Sequence, residues 1–419
     1  MKLIEKLDDQ TREDIRTISD ILSQSSYQCY MVGGCVRDLL LGRPVKDIDI
    51  TTNAEPQVVQ KLFKRTVPTG IQHGTITVLF EKRSYEITTY RAEGTYSDAR
   101  RPDTITFAKT LSEDLSRRDF TINALAYDPT ADVLQDEHGG LDDLKQKIIR
   151  TIGKAHDRFF EDGLRTVRAC RFASVLDFRI EEETFKAICD PAIHERTKKV
   201  AVERFSDELR KGLSGPFPSR LIELLEDTGL MNLFLPYKAP RPELQKLSLL
   251  SNVENRLGCY LHFICMREKD PVASIESTAK KLKLSNETAA QAIRTHRFLL
   301  ASAGDLNDVE EQIDQRRFCA WLKKTSADPL SILDDSSELA SIQSSLQTLI
   351  PVWKTMIQND PLVAKDLALN GNDIQELGFS GKEIGTAQAS ALEYLYRWPG
   401  RNTREDLTQF LLGKRSSSS

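Results

Sequence analysis

The spacing of apolar and polar residues changes character near residue 150. Before that point, short apolar runs that alternate with polar residues are separated by amphipathic stretches, which predicts strands interleaved with helices. The segment DIDITT (47–52) predicts one short strand, and TITVLFEKRSYEITTYR (75–91) predicts two strands around a charged turn. By contrast, VLQDEHGGLDDL (133–144) is rich in turn residues and is predicted to be a loop. The first third of the chain is therefore expected to combine strands with helices.

Beyond about Leu144, apolar residues recur with helical spacing and strand signals almost vanish. This region is expected to be all-helical, including residues 280–350, where the sequence indicates helix and no particular role. Breaks that contain proline or glycine predict joints at 214–218, 237–243 and 359–361. The whole pattern indicates an α+β protein with a mixed head and a helical remainder.

Composition narrows the class of protein. The chain has 419 residues, of which 40% are hydrophobic and 29% charged, so disordered, collagen-like and disulfide-scaffold proteins are excluded. The charged start and the lack of any apolar run of ~18 residues predict a cytoplasmic protein without a membrane span. Seven scattered cysteines favour reduced thiols over disulfides or a structural metal site. The net charge of −4 implies that any nucleic acid is held by a local basic surface.

Two glycines between an apolar strand and a helix, in MVGGCVRDLL, form a candidate phosphate site. Their backbone N–H groups are unobstructed, and the positive end of the helix points into the same space. Arg37 lies one turn into the helix and could bind the same anion with two hydrogen bonds. A Gly-Gly turn by itself is more typical of a plain tight turn, so this prediction depends on its surroundings.

The strand that follows carries two acidic residues. Alternation places Asp47 and Asp49 on one side of it, ~7 Å apart along the strand, while Ile48 and Ile50 face the other way. Hard Mg²⁺ prefers oxygen ligands and keeps substrate phosphates and water in its other positions, so the pair predicts a polymerase-like metal site. Glu86, in the next predicted hairpin, is a candidate third ligand. The alternative is a solvated strand face.

Four segments can be considered together: GGCVRDLLLG (33–42), DIDITTNAEP (47–56), RRDFTINALAYD (117–128) and RFFEDGLRTVRACRFA (158–173). Their order and spacing resemble the motifs of the class II tRNA nucleotidyltransferases, the family of CCA-adding enzymes and bacterial poly(A) polymerases. VERFSDELRKGL (202–213) resembles the fifth motif of the family. LNGNDIQELGFSGKEIG (369–385) is similar to the tail of the Bacillus-type CCA-adding enzymes, so the resemblance spans nearly the whole chain.

The resemblance implies a polymerase-beta-like nucleotidyltransferase head with a mixed sheet, in which Asp47 and Asp49 are catalytic and bind Mg²⁺. It also implies a set of nucleotide-binding residues: Gly34, Arg37, Arg118, Asp119, Asn123, Asp162, Arg165, Arg168 and Arg171. The first three of these would hold the triphosphate. Asp119 and Asn123, four residues apart, are predicted to share a helical face and to meet the sugar edge of the nucleotide. Without the resemblance, a charged helix start would explain residues 117–119 better.

The fourth motif carries the predicted base-selecting template, Glu161, Asp162 and Arg165. As helical neighbours at i and i+3, Asp162 and Arg165 are expected to orient each other and to leave hydrogen-bonding edges free for a base. Cytosine and adenine both present an amine beside an acceptor, whereas uracil and guanine present a carbonyl there. One Asp/Arg pair can therefore accept the first two bases and reject the others.

The arginines that follow belong to the nucleotide site by resemblance. Nine residues at 100° each would put Arg171 opposite Asp162 on a regular helix, so the whole series cannot share one face. Salt bridges to acidic neighbours of the helix are an equally good explanation for Arg171. Nearby apolar side chains are expected to pack in the core: Val167, Cys170, Phe172 and Ala173.

Two other segments receive weaker assignments. RAEGTYSDARRPD (91–103) is predicted to be a mobile loop, and in the family a flexible segment here assists the switch from C to A addition. A plain surface loop is the alternative. The doublet His156-Asp157 is typical of metal phosphohydrolases, but it lies in the approach to the template helix, and we reject that function. The remaining histidines are expected to be ordinary surface or core residues.

The resemblance implies four domains: a head at 1–145, a helical neck with the template at 146–215, a helical body at 216–290 and a tRNA-binding tail at 291–419. The expected partners are CTP, ATP and the acceptor end of tRNA, with no membrane and with one or two subunits. Basic clusters that could contact RNA phosphates occur at 194–204, 279–284, 314–318 and 396–406. Each cluster singly is more typical of a solvated helix face.

The expected reaction is template-independent, Mg²⁺-dependent addition of CCA to the 3′ end of tRNA with release of pyrophosphate. One alternative is an enzyme of the same family that adds only the terminal A, or a poly(A) polymerase. The other is a catalytically idle tRNA-binding protein on the same fold. The acidic and basic site residues argue against the idle protein, and the near-neutral charge argues against processive work on arbitrary RNA.

Overall fold

The computed structural model describes residues 2–45, 47–80, 83–92, 106–235 and 237–416. It divides the chain into two compact units. The first comprises Met1–Leu244 and Ser277–Ser285, and the second comprises Gln245–Glu276 and Asn286–Ser419. The division into head, neck, body and tail with the boundaries given above stays a prediction. No helix among the described residues is long and apolar enough to cross a membrane.

The first unit is built on a mixed, seven-stranded sheet in the order β3-β4-β5-β2-β1-β6-β7. Its strands are β1 (Tyr30–Val32), β2 (Asp49–Thr52), β3 (Thr66–Gly70), β4 (Thr75–Phe80), β5 (Arg83–Thr89), β6 (Leu125–Asp128) and β7 (Val133–Asp136). Only β2 and β5 pair in parallel, and the other neighbours are antiparallel. The predicted hairpin at 75–91 is confirmed as β4 and β5.

The central strand β2 has the predicted alternation of buried and exposed residues. Ile48 and Ile50 are buried, while Asp47 and Asp49 are exposed. The strand begins at Asp49, so Asp47 lies two residues before its start. Because β2 is enclosed by β1 and β5, its apolar side anchors the strand in the core and its acidic side is held in one place.

Helices alternate with the strands of the sheet along the chain and predominate after them. Those of the first unit before residue 150 are α1 (Asp9–Gln24), α2 (Gly34–Leu40), α3 (Pro56–Leu62), α4 (Leu111–Ser116) and α5 (Gly140–Gln146). After β8 (Ile148–Ile149) come α6 (Ala155–Glu161) and α7 (Leu164–Leu176), then β9 (Arg179–Ile180), which pairs with β8. The rest are α8 (Glu182–Ile188), α9 (Pro191–Thr197), α10 (Val202–Leu213), α11 (Pro218–Asp227), α12 (Met231–Phe234) and α13 (Arg241–Gln245).

The loop prediction for 133–144 is wrong, because this segment forms β7 and most of α5. β7 pairs with β6 at the edge of the sheet. The carboxylate of Asp136 then accepts hydrogen bonds from the backbone N–H groups of Gly140 and Leu141, which caps the start of α5. Turn-forming residues thus serve here as a strand end and a helix cap, which composition alone did not distinguish.

The second unit is helical throughout its described residues, as predicted, and residues 280–350 also form helices. Its helices are α14 (Val253–Cys265), α15 (Pro271–Lys281, whose last turn belongs to the first unit), α16 (Asn286–Leu300), α17 (Val309–Thr325), α18 (Pro329–Asp335), α19 (Leu346–Asn359), α20 (Gly371–Glu376), α21 (Lys382–Arg397) and α22 (Arg404–Ser416). Within it, the buried His262 and His296 join α14 to α16 through a 2.8 Å hydrogen bond between their Nδ1 atoms. Both are core residues.

The fourth motif is interrupted by a close approach between chain segments. Gly163 separates α6 from α7, and a Cβ atom there would lie 2.7 Å from Thr197 Cα and 2.9 Å from the carbonyl oxygen of Arg196, both in α9. These are backbone atoms that cannot turn away, so only glycine fits. The two helices therefore meet in a break and do not continue into each other.

We expect Gly163→Ala to lower the free energy of unfolding by about 1–3 kcal/mol, because its methyl group would push α9 away from the break. The backbone conformation at Gly163 is helical, so alanine itself can adopt it. Gly385→Ala in α21 is the matched control, since nothing lies within 4 Å of a Cβ there. It should raise stability by about 0.5–1 kcal/mol. Thermal unfolding of both variants tests this, and a Gly163→Ala protein as stable as wild type would contradict the packing argument.

Candidate active site

A single cavity of about 640 Å³ in the first unit collects most of the predicted site residues. It is lined by Gly34, Arg37, Asp47, Asp49, Arg118, Asp119, Asn123, Asp162, Arg165, Arg168 and Arg171. Glu86 and Glu161 do not line it. The segments that meet here are separated by more than a hundred residues along the chain, so the fold brings all four motifs to one place. The predicted loop at 91–103 lies, from residue 93 onward, outside the described residues.

The glycine turn opens the cavity on one side. Gly33 has a φ of +73°, which favours glycine, and a Cβ on it would lie 3.0 Å from Arg118 Nη1. Arg37, in α2, is buried and donates from Nε and Nη2 to the two carboxylate oxygens of Asp38, at 2.9 Å each. Its Nη1 donates to Asn123 Oδ1 at 2.6 Å. The guanidinium is thus held in a fixed plane at the cavity wall, as bidentate anion binding requires.

Three carboxylates lie close together at β2 and β5, and two of them, Asp47 and Asp49, line the cavity. Asp49 and Glu86 are direct partners in the parallel pairing of β2 with β5. Partial desolvation by the surrounding protein raises the pKa of Asp49, and the charge of Asp47 raises it further, against a lowering by Arg118. Partial desolvation and the charges of Asp49 and Asp47 likewise raise the pKa of Glu86. The negative charge here is under-compensated by the protein.

This donor set suits a divalent cation, whose charge would relieve the repulsion between carboxylate oxygens. Among the described residues, no three His, Cys, Asp or Glu side chains are arranged to hold a metal ion by themselves. Glu86 therefore does not complete a protein-only ligand set with Asp47 and Asp49. Such a site keeps positions for substrate phosphate oxygens and water, as Mg²⁺ sites of phosphoryl-transfer enzymes do.

The second motif is not the predicted helical face. Asp119 and Asn123 lie in a turn that ends in a short 3₁₀ helix, Thr121–Asn123, and Asn123 Nδ2 donates to Asp119 Oδ1 at 3.0 Å. The other oxygen of Asp119 accepts from Arg168 Nε at 2.8 Å, and Arg168 Nη2 lies 2.7 Å from it. Burial alone would raise the pKa of Asp119, but the charge of Arg168 and these hydrogen bonds lower it to about 2. Asp119 is therefore a charged anchor for Arg168 as well as a cavity residue.

The predicted pairing of Asp162 with Arg165 is wrong. Asp162 lies in the break between α6 and α7, so the two residues are not one turn apart on a regular helix. The partner of the Asp162 carboxylate is Arg204 in α10, whose Nη2 lies 2.8 Å from Oδ2. The backbone of Asp162 is extended, which ends α6 and directs the carboxylate toward Arg204, while Gly163 allows α9 to pack closely beside the break.

Arg165 has its own set of partners. Its Nη1 donates to Glu161 Oε2 at 2.5 Å and to the carbonyl oxygen of Arg158 at 3.1 Å. Its Nη2 donates to the carbonyl oxygen of Arg117 at 3.0 Å. Glu161 therefore orients Arg165 from outside the cavity. Within the described part of the chain, Nε and one proton of Nη2 make no hydrogen bond, so they are available to a ligand.

Arg171 lies in the cavity together with Asp162, contrary to the helical-wheel prediction, because the break removes the regular phase between them. The alternative prediction, a salt bridge to an acidic neighbour of the helix, also holds: Arg171 Nε donates to Glu208 Oε2, on α10. Arg168 Nη1 lies 3.5 Å from the other oxygen of Glu208. One buried carboxylate thus contacts two cavity arginines.

Phe172 is buried, as predicted, but packing is only part of its role. The guanidinium carbons of Arg37, Arg168 and Arg171 lie 5.1, 5.2 and 3.9 Å from the centre of its ring. Contacts between a cation and an aromatic face at these distances are attractive. The ring therefore helps to hold three like charges side by side at the cavity wall.

Sequence reasoning missed the residues that α10 contributes. Arg204 and Lys211 line the cavity, and Glu208 lies behind it. They occur at i, i+4 and i+7, so they share one face of the helix. That spacing of charged residues within a segment that also carries Phe205 and Leu209 was the available signal.

We expect Glu208→Gln to lower the free energy of unfolding by roughly 3 kcal/mol, because the side chain of Glu208 is 4% exposed and its charge balances two partly buried arginines. Asp207→Asn is the matched control, since Asp207 is the exposed neighbour on the same helix. Its effect should stay within about 0.5 kcal/mol. Urea unfolding of both variants provides the measurement, and equal stability losses would show that Glu208 is no anchor.

The family model described as poly A polymerase head domain matches residues 29–150, and the model described as probable RNA and SrmB-binding site of polymerase A matches residues 177–240. These two segments contain the sheet with its acidic strand, and α8–α11.

Full-length relatives and a solved structure agree with these matches. The chain is 35% identical to a CCA-adding enzyme of Enterococcus faecalis over 434 aligned positions, covering 97% of this chain and 96% of that protein. A CCA-adding enzyme of Lactobacillus johnsonii is 51% identical over 209 residues, and that alignment spans about half of each protein. The crystal structure of the Bacillus stearothermophilus CCA-adding enzyme in complex with CTP is 29% identical, with a TM-score of 0.78 over 98% of this chain and 99% of that one. The chain therefore belongs to the CCA-adding enzyme family of tRNA nucleotidyltransferases.

Proposed function

We propose that this protein adds CCA to the 3′ end of tRNA, using CTP and ATP and releasing pyrophosphate. The observation that carries the proposal is the single cavity that joins an under-compensated carboxylate pair, fixed arginines and the Asp162/Arg165 region. A template-independent polymerase needs these three elements within the reach of one nucleotide. The proposed setting is the cytoplasm, where tRNA is processed, and the proposed arrangement is the head, neck, body and tail of the family.

The reaction joins the 3′ oxygen of the tRNA to the α-phosphorus of the nucleotide and breaks the bond to the β-phosphate. In this proposal, Asp47 and Asp49 bind Mg²⁺, which when present lowers the pKa of the attacking hydroxyl and neutralises phosphate charge. Arg37 and Arg118 bind the departing pyrophosphate. Arg37 is already fixed by Asp38 and Asn123, so little reorganisation is needed as charge develops on the leaving group.

Base selection is assigned to Asp162 and Arg165. A carboxylate oxygen accepts a hydrogen bond from the exocyclic amine of cytosine or adenine, and it repels the carbonyl oxygen that uracil or guanine presents there. The Nε and Nη2 groups of Arg165 then donate to the neighbouring ring nitrogen or carbonyl oxygen. Arg168 and Arg171, held by Asp119 and Glu208, complete a positive wall for the nucleotide.

We also propose that the helical regions bind RNA, on the basis of their exposed basic side chains. The predicted basic clusters are partly engaged in the protein itself, since Arg196 donates to the carbonyl oxygen of Phe160 and Arg316 pairs with Asp360. Lys280 and Lys281 are exposed at the end of α15 and can contact phosphates. Such contacts set register without reading sequence, which suits an enzyme that accepts many tRNAs.

The proposal is tested with labelled CTP and ATP and with tRNA transcripts that lack CCA, lack only A, or carry unrelated 3′ ends. Wild type should extend the first two to full CCA and ignore the third. Asp49→Asn should reduce incorporation by roughly 100-fold or more, because it removes a metal-binding charge. Asp142→Asn, an exposed substitution in α5, is the control and should leave the rate unchanged.

Each other product pattern contradicts the proposal in a distinct way. Addition of A alone to the transcript that ends in CC would identify an A-adding enzyme, and tailing of unrelated ends would identify a poly(A) polymerase. Tight tRNA binding without incorporation would identify an idle RNA-binding protein. Full activity of Asp49→Asn would refute the metal assignment while leaving the overall activity intact.

A further inference from the structure

The acceptor capacity of Asp162 is almost fully used by the protein. Its Oδ1 accepts from the backbone N–H of Leu164 at 3.0 Å and from Arg204 Nη1 at 3.3 Å. Its Oδ2 accepts from Arg204 Nη2 at 2.8 Å. A carboxylate has about four lone-pair positions, so these three bonds leave about one, on Oδ2. Asp162, which selects the base in the proposed function, can thus accept one further hydrogen bond.

Arg204 sets the direction in which the Asp162 carboxylate can accept a further hydrogen bond. Asp162 lies between α6 and α7. Leu164, the first residue of α7, supplies one of its hydrogen bonds, and Arg204 supplies the other two. The two nearly parallel bonds from the planar guanidinium of Arg204 set the plane of the carboxylate. Arg204 is itself placed by α10, at a position that lines the cavity.

We propose that Arg204 is a specificity-determining positioning residue, which sets base selection by holding Asp162 with one acceptor position turned toward the base. The inference rests on the proposed function. In this arrangement an amine finds a ready acceptor, whereas a carbonyl meets a carboxylate oxygen that cannot rotate away. Without Arg204 the carboxylate can turn, and a water molecule can bridge it to a carbonyl. Selection against U and G should then weaken more than the rate of C and A addition.

A purely structural role for Arg204 makes a different prediction. An ion pair that only joins α10 to the α6–α7 break would, when removed, lower stability and slow all nucleotides alike. A direct contact between Arg204 and the nucleotide would instead weaken binding whether or not Asp162 is present. The ratio of correct to incorrect incorporation, measured with and without Asp162, separates the three roles.

The variants are Arg204→Gln, Arg204→Lys, Asp162→Ala and the double variant Arg204→Gln/Asp162→Ala. Arg220→Gln is the matched control, because Arg220 also pairs with an aspartate, Asp177, and with a backbone carbonyl, and does so outside the cavity. The side chains of Arg204 and Arg220 are similarly exposed, at 28% and 32%. For each protein, kcat/KM is measured for CTP and UTP on tRNA that lacks CCA, and for ATP and GTP on tRNA that ends in CC.

We expect Arg204→Gln to reduce the CTP-to-UTP and ATP-to-GTP ratios by roughly 10-fold or more, with KM for the correct nucleotide little changed because Arg37 and Arg118 are untouched. Arg204→Lys, with a single point charge in place of a planar fork, should lie between Arg204→Gln and wild type. Arg220→Gln should keep the wild-type ratios. In the Asp162→Ala background, the Arg204 substitution should change the ratios no further.

Unchanged ratios in a folded Arg204→Gln protein would overturn the inference, as would a further loss in the double variant equal to that in the single one. If Arg204→Gln does not fold, the Arg204→Lys ratios decide, since wild-type values there would also overturn it. The wild-type protein separates this inference from the proposed function. Failure of wild type to add CCA would remove the function, whereas CCA addition with unaltered ratios in the Arg204 variants would remove the inference alone.

Discussion

The site depends on holding many like charges in one small cavity. Eight basic and four acidic side chains line it, so its wall is strongly positive. Arginines packed this closely repel one another and would spread into solvent unless acids behind them compensated. Asp114 supplies this compensation for Arg117 and Arg118, and Glu208 supplies it for Arg168 and Arg171. The buried carboxylates thus fix the cations without neutralising the face that they present.

This arrangement explains why α10 matters to a site whose recognisable motifs lie elsewhere. Its charged face provides Arg204 for Asp162, and it provides Glu208 for the arginines of α7. The break between α6 and α7 makes these contacts from α10 necessary. Once Asp162 leaves the helix, no residue of α7 holds its carboxylate except through the N–H group of Leu164. A helix from a later part of the chain therefore completes the geometry of the fourth motif.

The local sequence pattern was sufficient to predict those parts of the site that depend on a single strand or turn. The alternation in DIDITT predicts the acidic side of β2, and the Gly-Gly pair predicts a turn between a strand and a helix, because each follows from backbone geometry over a few residues. The pairing of Asp162 was not predictable in this way. It depends on the approach of α9 to Gly163 and on Arg204, which is 42 residues away. The same limit applies to 133–144, where turn-forming residues became a paired edge strand and a capped helix through contacts with β6.

The local compensation of charge also reconciles a chain of net charge −4 with a polyanionic substrate. Each buried acid that anchors an arginine lowers the net charge, yet it increases the precision with which the cation meets a phosphate. A globally cationic surface would attract any RNA and would be screened within about 8 Å at physiological salt. A partly enclosed cavity with fixed guanidinium groups is screened less. The electrostatics of the cavity therefore depend on where a few charges are held, and the acids that hold them are as much part of the site as the arginines that line it.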